Sequence, residues 1–137
     1  MPHHIIIADD EEHIGYLLKT RLEHSGYQVT WLLDGGEALQ AILADPPDLV
    51  VLDIMMPGLT GFEVLEGLLA HGHTRDIPVI ILSALSQEGD IIKGLRAGAA
   101  DYLTKPFHPG ELVARVDRLI ALRERWLRPP SSQSPGG

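Results

Sequence analysis

Leu49-Val50-Val51-Leu52-Asp53-Ile54-Met55-Met56-Pro57-Gly58 runs four apolar residues without a break into a carboxylate, and a Pro-Gly turn follows almost at once. A short apolar run bounded by turn residues predicts a strand buried on both faces. Such a strand delivers the residue at its end to the rim of the sheet. In open parallel α/β sheets, ligands bind at the rim formed by the carboxyl ends of the strands. Asp53 is then either a functional group or an ordinary strand-end residue, and the rest of the chain has to decide.

Two more runs share the pattern. His4-Ile5-Ile6-Ile7-Ala8 leads into Asp9-Asp10, and Pro78-Val79-Ile80-Ile81-Leu82-Ser83 ends in a hydroxyl. Gln28-Val29-Thr30-Trp31-Leu32 and Asp101-Tyr102-Leu103-Thr104 alternate polar with apolar residues, which suits edge strands with one wetter face. Helices are expected in between. The first, roughly Glu11 to Ser25, has a stripe of Ile14, Leu17, Leu18 and Leu22, with Gly26 suited to its C′ position. Asp34 and Glu37 read as a capping box that opens a second helix, which Pro46-Pro47 must stop. Thr60 and Glu63 form a second box, and the helix they open should turn Phe62, Leu65 and Leu69 inward.

The fourth helix, about Gln87 to Ala97, contains Gly89 and Gly94, each costing about 1 kcal/mol relative to Ala. Only Ile91, Ile92 and Leu95 can anchor it, so it should be marginal and mobile. The last helix, from about Pro109 to Trp126-Leu127, has a core stripe of Leu112, Val113, Val116, Leu119 and Ile120. Trp31 and Trp126 are expected to pack. Strict alternation of five strands and five helices predicts an α/β fold with right-handed crossovers. With the three apolar strands central, the order 2-1-3-4-5 of a flavodoxin-like three-layer αβα sandwich fits. The domain is expected to span residues 1–128, with 129–137 as a disordered Pro/Ser/Gly tail or linker.

The chain has 137 residues, enough for one core and hardly for two. A net charge of −8 argues against this domain binding nucleic acid directly or an anionic membrane. The absence of Cys rules out disulfides, a thiolate metal site and a Cys nucleophile. His71 and His73 lack zinc-site spacing. No signal segment or membrane-length run is evident, which predicts a soluble cytoplasmic protein.

In the expected topology the strand ends bring Asp9, Asp10, Asp53, Ser83 and Lys105 to one rim. Acids packed together raise one another's pKa unless a cation sits among them. Hard oxygen ligands with spare positions suit Mg2+, which favours a phosphoryl oxygen as a further ligand. Lys105 can supply positive charge and Ser83 a hydrogen-bond donor, while a carboxylate nucleophile can form an acyl phosphate. Each residue alone has a plain reading: Asp9 and Asp10 as helix caps, Ser83 as a strand-end hydroxyl, Tyr102 as a fixed aromatic, Lys105 as a solvated lysine. Five such coincidences on one rim are less economical than a Mg2+-assisted phosphoryl acceptor.

The chain resembles the receiver domain of two-component response regulators. The resemblance rests on Asp9-Asp10, Asp53 in Leu-Asp-Ile-Met-Met-Pro-Gly, Ser83-Ala84, Ala97-Gly98-Ala99 and Tyr102-Leu103-Thr104-Lys105-Pro106-Phe107, and it covers roughly residues 3 to 125. It implies that Asp53 accepts a phosphoryl group from a sensor histidine kinase or phosphotransfer protein. It implies that Asp10, Asp53 and the Met55 backbone carbonyl bind Mg2+, with Asp9 acting through water. Lys105 would pair with the phosphoryl group through a loop with a cis bond to Pro106. Ser83 would swing to a phosphoryl oxygen and the Tyr102 ring would turn inward. The surface of the fourth helix, fifth strand and fifth helix would then signal to an output domain or a target protein, as a phosphoryl acceptor rather than an enzyme; slow self-dephosphorylation is expected from this chain's own apolar Met55 and Leu85.

This chain departs from the family pattern in places. Met55 and Leu85 are apolar where the family tunes hydrolysis, so neither can orient an attacking water. Asp101, Glu111 and Arg115 match the charges of the winged-helix regulators' dimer, but Ile91, Ala100 and Leu122 do not, so at most one of three ion pairs survives. A homodimer on phosphorylation is left open, as are a stand-alone chain and a receiver joined to an output domain. The runner-up is a receiver-like interaction module used without phosphorylation. An Asp-nucleophile phosphatase would want a second Asp at Met55, and a flavin binder would need a stacking loop that the sequence does not offer.

Overall fold

The computed structural model describes residues 2–127, so Met1, Arg128 and the expected 129–137 tail lie outside the described residues. The elements are β1 (His4–Ala8), α1 (Glu12–His24), β2 (Gln28–Leu32), α2 (Gly35–Ala44), β3 (Leu49–Leu52), α3 (Gly61–Leu69), β4 (Val79–Ser83), α4 (Glu88–Arg96), β5 (Asp101–Thr104) and α5 (Pro109–Leu127). The strands form one parallel sheet in the order β2-β1-β3-β4-β5. The three continuous apolar runs are central and the two alternating strands are edges, as the period-2 patterning requires.

Successive residues of a strand point to opposite faces, and each central strand feeds two cores. Ile6, Ala8, Val50, Leu52, Val79 and Ile81 meet Ala38 and Ile42 of α2 and Val64, Leu65 and Leu68 of α3 on one side. Ile5, Ile7, Leu49, Val51, Ile80 and Leu82 meet Leu18 and Leu22 of α1 and Leu112, Val116 and Ile120 of α5 on the other. The helix ends follow local chemistry. Gly26 has a φ of 98° and donates to Glu23 O at 3.0 Å, while Tyr27 N–H donates to Leu22 O at 3.1 Å. These two bonds close α1 in a Schellman motif, where the positive φ favours glycine.

The two expected boxes differ. Thr60 and Glu63 exchange both bonds at the start of α3. Asp34 makes only its half, accepting from Gly36 N at 2.7 Å and Glu37 N at 3.0 Å. An Asp34→Ala variant should therefore lose about 1 kcal/mol of stability, read as a lower urea midpoint with an unchanged slope.

Four packing expectations need correction. Leu17 is exposed, because the buried line of α1 runs through Gly15, Leu18 and Leu22. In α3 the buried line is Val64, Leu65 and Leu68. Phe62 is half-buried, and Leu69 is exposed beside Gly98. The only buried residue of α4 is Gly94: Ile92 and Leu95 face outward and Ile91 is partly covered. Trp126 does not pack; it is 86% exposed near the end of α5. Among the described residues no helix is long and apolar enough to cross a membrane.

Candidate functional site

Strand register brings the chemistry to one rim. Ala8 lies level with Leu52, and Asp53 N–H donates to Ala8 O at 2.9 Å, so Asp9 and Asp53 leave adjacent strands side by side. Ser83 pairs with Thr104, and Lys105 N–H donates to Ser83 O at 2.9 Å. Lys105 thereby enters from the edge strand, after which its peptide bond to Pro106 is cis.

Lys105 Nζ sits among three acids. It lies 2.7 Å from Glu11 Oε1, 2.9 Å from Asp9 Oδ2 and 3.0 Å from Asp53 Oδ2. The contacts to Glu11 and Asp53 are aligned hydrogen bonds, whereas Asp9 Oδ2 is buried with no aligned donor. Burial is the largest influence on both Asp9 and Lys105, and it acts in opposite senses. It pushes the Asp9 carboxyl above its ordinary value, with Lys105 and the Glu11 backbone N–H opposing. It disfavours the Lys105 ammonium too, but the contacts with Asp9, Glu11 and Asp53 together outweigh that and hold Lys105 above its ordinary value. The hydrogen bond from Lys105 lowers Glu11.

Asp9, Asp10 and Asp53 each offer an oxygen, and these oxygens lie within 4.8 Å of one another. Two of the three acids are buried, and Asp9 Oδ2 has the Lys105 ion pair but no aligned hydrogen bond. A set of hard anionic oxygens, one of them buried without an aligned hydrogen bond, fits a small divalent cation. Met55 N–H donates to Asp53 Oδ1 at 3.3 Å, which turns the next stretch of chain around the carboxylate, while the Met55 side chain is 63% exposed.

Ser83 is buried, and its Oγ accepts from Leu85 N–H at 3.2 Å. The Tyr102 ring is buried on the α4 side, and its O–H donates to Leu85 O at 2.5 Å. That ring lies so close to Gly94 that a Cβ there would come within 2.8 Å of Tyr102 Cδ2. Burial raises the Tyr102 hydroxyl's pKa. All the residues expected at the rim are thus at the strand ends, and Asp9, Asp53 and Lys105 are in contact.

Two residues were not anticipated. Glu11, read only as a helix opener, bonds Lys105; its place directly after Asp9-Asp10 was the available signal. Trp31, expected only to pack, donates its indole N–H to Asp9 O at 2.9 Å. Its ring lies against α1 at Gly15, where a Cβ would come within 2.0 Å of Trp31 Cε2.

Three acids and a lysine thus gather at the carboxyl rim of a doubly wound parallel sheet. The chain belongs to the response regulator receiver domain family, whose model matches residues 5–117. It is 44% identical over 129 residues to the alkaline phosphatase synthesis transcriptional regulatory protein PhoP of Bacillus subtilis, covering 94% of this chain and 52% of that protein. It is 46% identical to the probable transcriptional regulator ycf27 of Cyanophora paradoxa, covering 88% and 49%. The receiver domain of the Francisella response regulator 1452 superposes with a TM-score of 0.83 at 40% identity, covering 88% of this chain and 98% of that one. The chain therefore spans about half the length of the curated relatives it matches.

Proposed function

We infer that this receiver domain accepts a phosphoryl group on Asp53 from the phosphohistidine of a sensor kinase or phosphotransfer protein. The observation that carries the reading is the Asp53 carboxylate, buried beside Asp9 and Asp10 and bonded to Lys105 at 3.0 Å. An Asp53 oxygen attacks phosphorus, an O–P bond forms, the N–P bond breaks, and the imidazole departs with the electron pair. Asp10, Asp53 and the Met55 carbonyl would hold Mg2+, with Asp9 through water. When bound, that ion neutralises charge on the phosphoryl oxygens. Lys105 orients the group and offsets the charge that remains.

Ser83 relays the change by turning its Oγ from Leu85 N–H to a phosphoryl oxygen, while the Tyr102 ring, expected to turn inward only then, already lies buried with its hydroxyl on Leu85 O and holds that position in a two-state element biased by new charge. The α4–β5–α5 face carries the output to a target protein or attached domain; the exposed Ile92, Leu95 and Leu122 support this. Arg115 bonds Asp101 and Glu111 within the chain, so the charges available to a dimer already satisfy one another. Residues 1–128 are the receiver unit on this reading, and 129–137 have a linker's composition.

The test is intact mass after incubation with Mg2+ and acetyl phosphate. A single phosphoryl adduct is expected in wild type and none in Asp53→Asn. A folded wild-type protein that takes no adduct would leave the unphosphorylated interaction module as the reading. Because Met55 and Leu85 cannot orient a water, the adduct should persist for minutes or longer. Decay within seconds in a pulse-chase would reject that assignment.

A further inference from the structure

Lys105 is held by three acids, and one of them stands apart from the acid cluster. The shortest contact, 2.7 Å, goes to Glu11. Glu11 is the N-cap of α1 but makes no side-chain capping bond. Glu is not among the residues that cap helices well. The start of the helix therefore does not explain this side chain, which reaches across to the lysine instead. Glu11 is also the free-standing member of the three: its side chain is 44% exposed, against 2% for Asp9 and 7% for Asp53.

An ammonium has three N–H donors and no acceptor. Glu11 and Asp53 each take a bond, and Asp9 Oδ2 lies against the remaining side at 2.9 Å. A phosphoryl oxygen that needs this lysine must displace one of the three. Asp9 and Asp53 are fixed by burial within the acid cluster. Glu11 alone can swing into water without moving a buried charge.

We propose that Glu11 is a displaceable placeholder, holding Lys105 over Asp53 and ceding its position on the ammonium to the incoming phosphoryl oxygen. This rests on the reading of Asp53 as phosphoacceptor. Glu11 acts through Lys105 and is a positioning residue. It slows phosphoryl entry, because the anion must both approach and replace a carboxylate.

The test is Glu11→Gln at saturating Mg2+, with acetyl phosphate as donor. Adduct formation should be about fivefold faster than in wild type, the scale of a partly exposed ion pair. Simple loss of one negative charge would also ease the approach of the acetyl phosphate anion, so Glu12→Gln, which removes a neighbouring charge that makes no contact with Lys105, is the control and should leave the rate near that of wild type; a rate raised as much in Glu12→Gln would overturn the proposal. The second readout is the Lys105 Nζ–H resonance in 15N-lysine-labelled protein without donor, which should shift in Glu11→Gln. An unshifted resonance would overturn the proposal, since the bridge would then be absent in solution. A shifted resonance with an unchanged or slower rate would overturn it too, leaving Glu11 a structural partner. A shifted resonance with no adduct in either protein would instead bring down the phosphoacceptor reading, and the placeholder with it.

Discussion

A Lys105→Met variant is expected to be less stable than wild type by roughly 3 kcal/mol at neutral pH without Mg2+, in urea or thermal unfolding. The side chain is 9% exposed and is the only cation in contact with Asp9 and Asp53 among the described residues. Removing it leaves two buried carboxylates facing each other in a region of low dielectric, which costs far more than breaking a surface ion pair. The loss should depend on pH. Burial already holds the Asp9 carboxyl above its ordinary value of 3.8, even with the lysine beside it. An acid whose pKa is raised by folding keeps a proton in the native state that the unfolded chain has released. Stability therefore falls as pH rises from the ordinary value through the raised one. Without Lys105 that window extends upward, so the deficit should be smaller at pH 5 than at pH 7. Saturating Mg2+ should restore part of it. A deficit independent of pH and of Mg2+ would show that the lysine contributes by packing alone.

Gly61→Ala should cost roughly 3 kcal/mol and slow phosphorylation of Asp53 on the order of a hundredfold. Gly61 N–H donates to Ile54 O at 2.8 Å, which presses the first turn of α3 against the loop after β3. A Cβ there would lie 2.3 Å from Asp53 O and 2.7 Å from Ile54 Cα. Both obstacles are backbone, so no rotamer change relieves the clash and the loop carrying Asp53 must shift. Gly67→Ala is the control. The three atoms nearest its Cβ all belong to the Leu39 side chain, the first at 2.8 Å, and that side chain can rotate away. Near-equal effects of the two substitutions on adduct formation would mean that α3 does not fix the position of Asp53.

The sheet and most of the site were legible because both are written in local patterns. Three unbroken apolar runs ending in Asp, Asp and Ser fix the central strands and point their last residues at one rim. The errors came where a pattern has to choose among near neighbours. In α3, Leu68 and Leu69 both look suited to the core, and only contact with the sheet selects Leu68. In α4 the apolar residues looked like anchors, yet the close approach of Gly94 to Tyr102 and Ile81 turns Ile92 and Leu95 outward. Asp34 caps its helix without reciprocation from Glu37, since a matching tetrapeptide does not dictate where the glutamate goes. The bond from Glu11 to Lys105 spans 94 positions of sequence, and no local rule reaches that far.

The two tryptophans make the protein its own optical instrument. Trp31 is partly buried and tied through its N–H to the carbonyl of Asp9, one residue from the carboxylates that would receive an ion. Trp126 stands in water at the far end of α5. A collisional quencher such as iodide reaches the second indole and largely spares the first. The emission that survives quenching then reports on the acid-bearing loop, and filling of the rim can be followed in real time without a label.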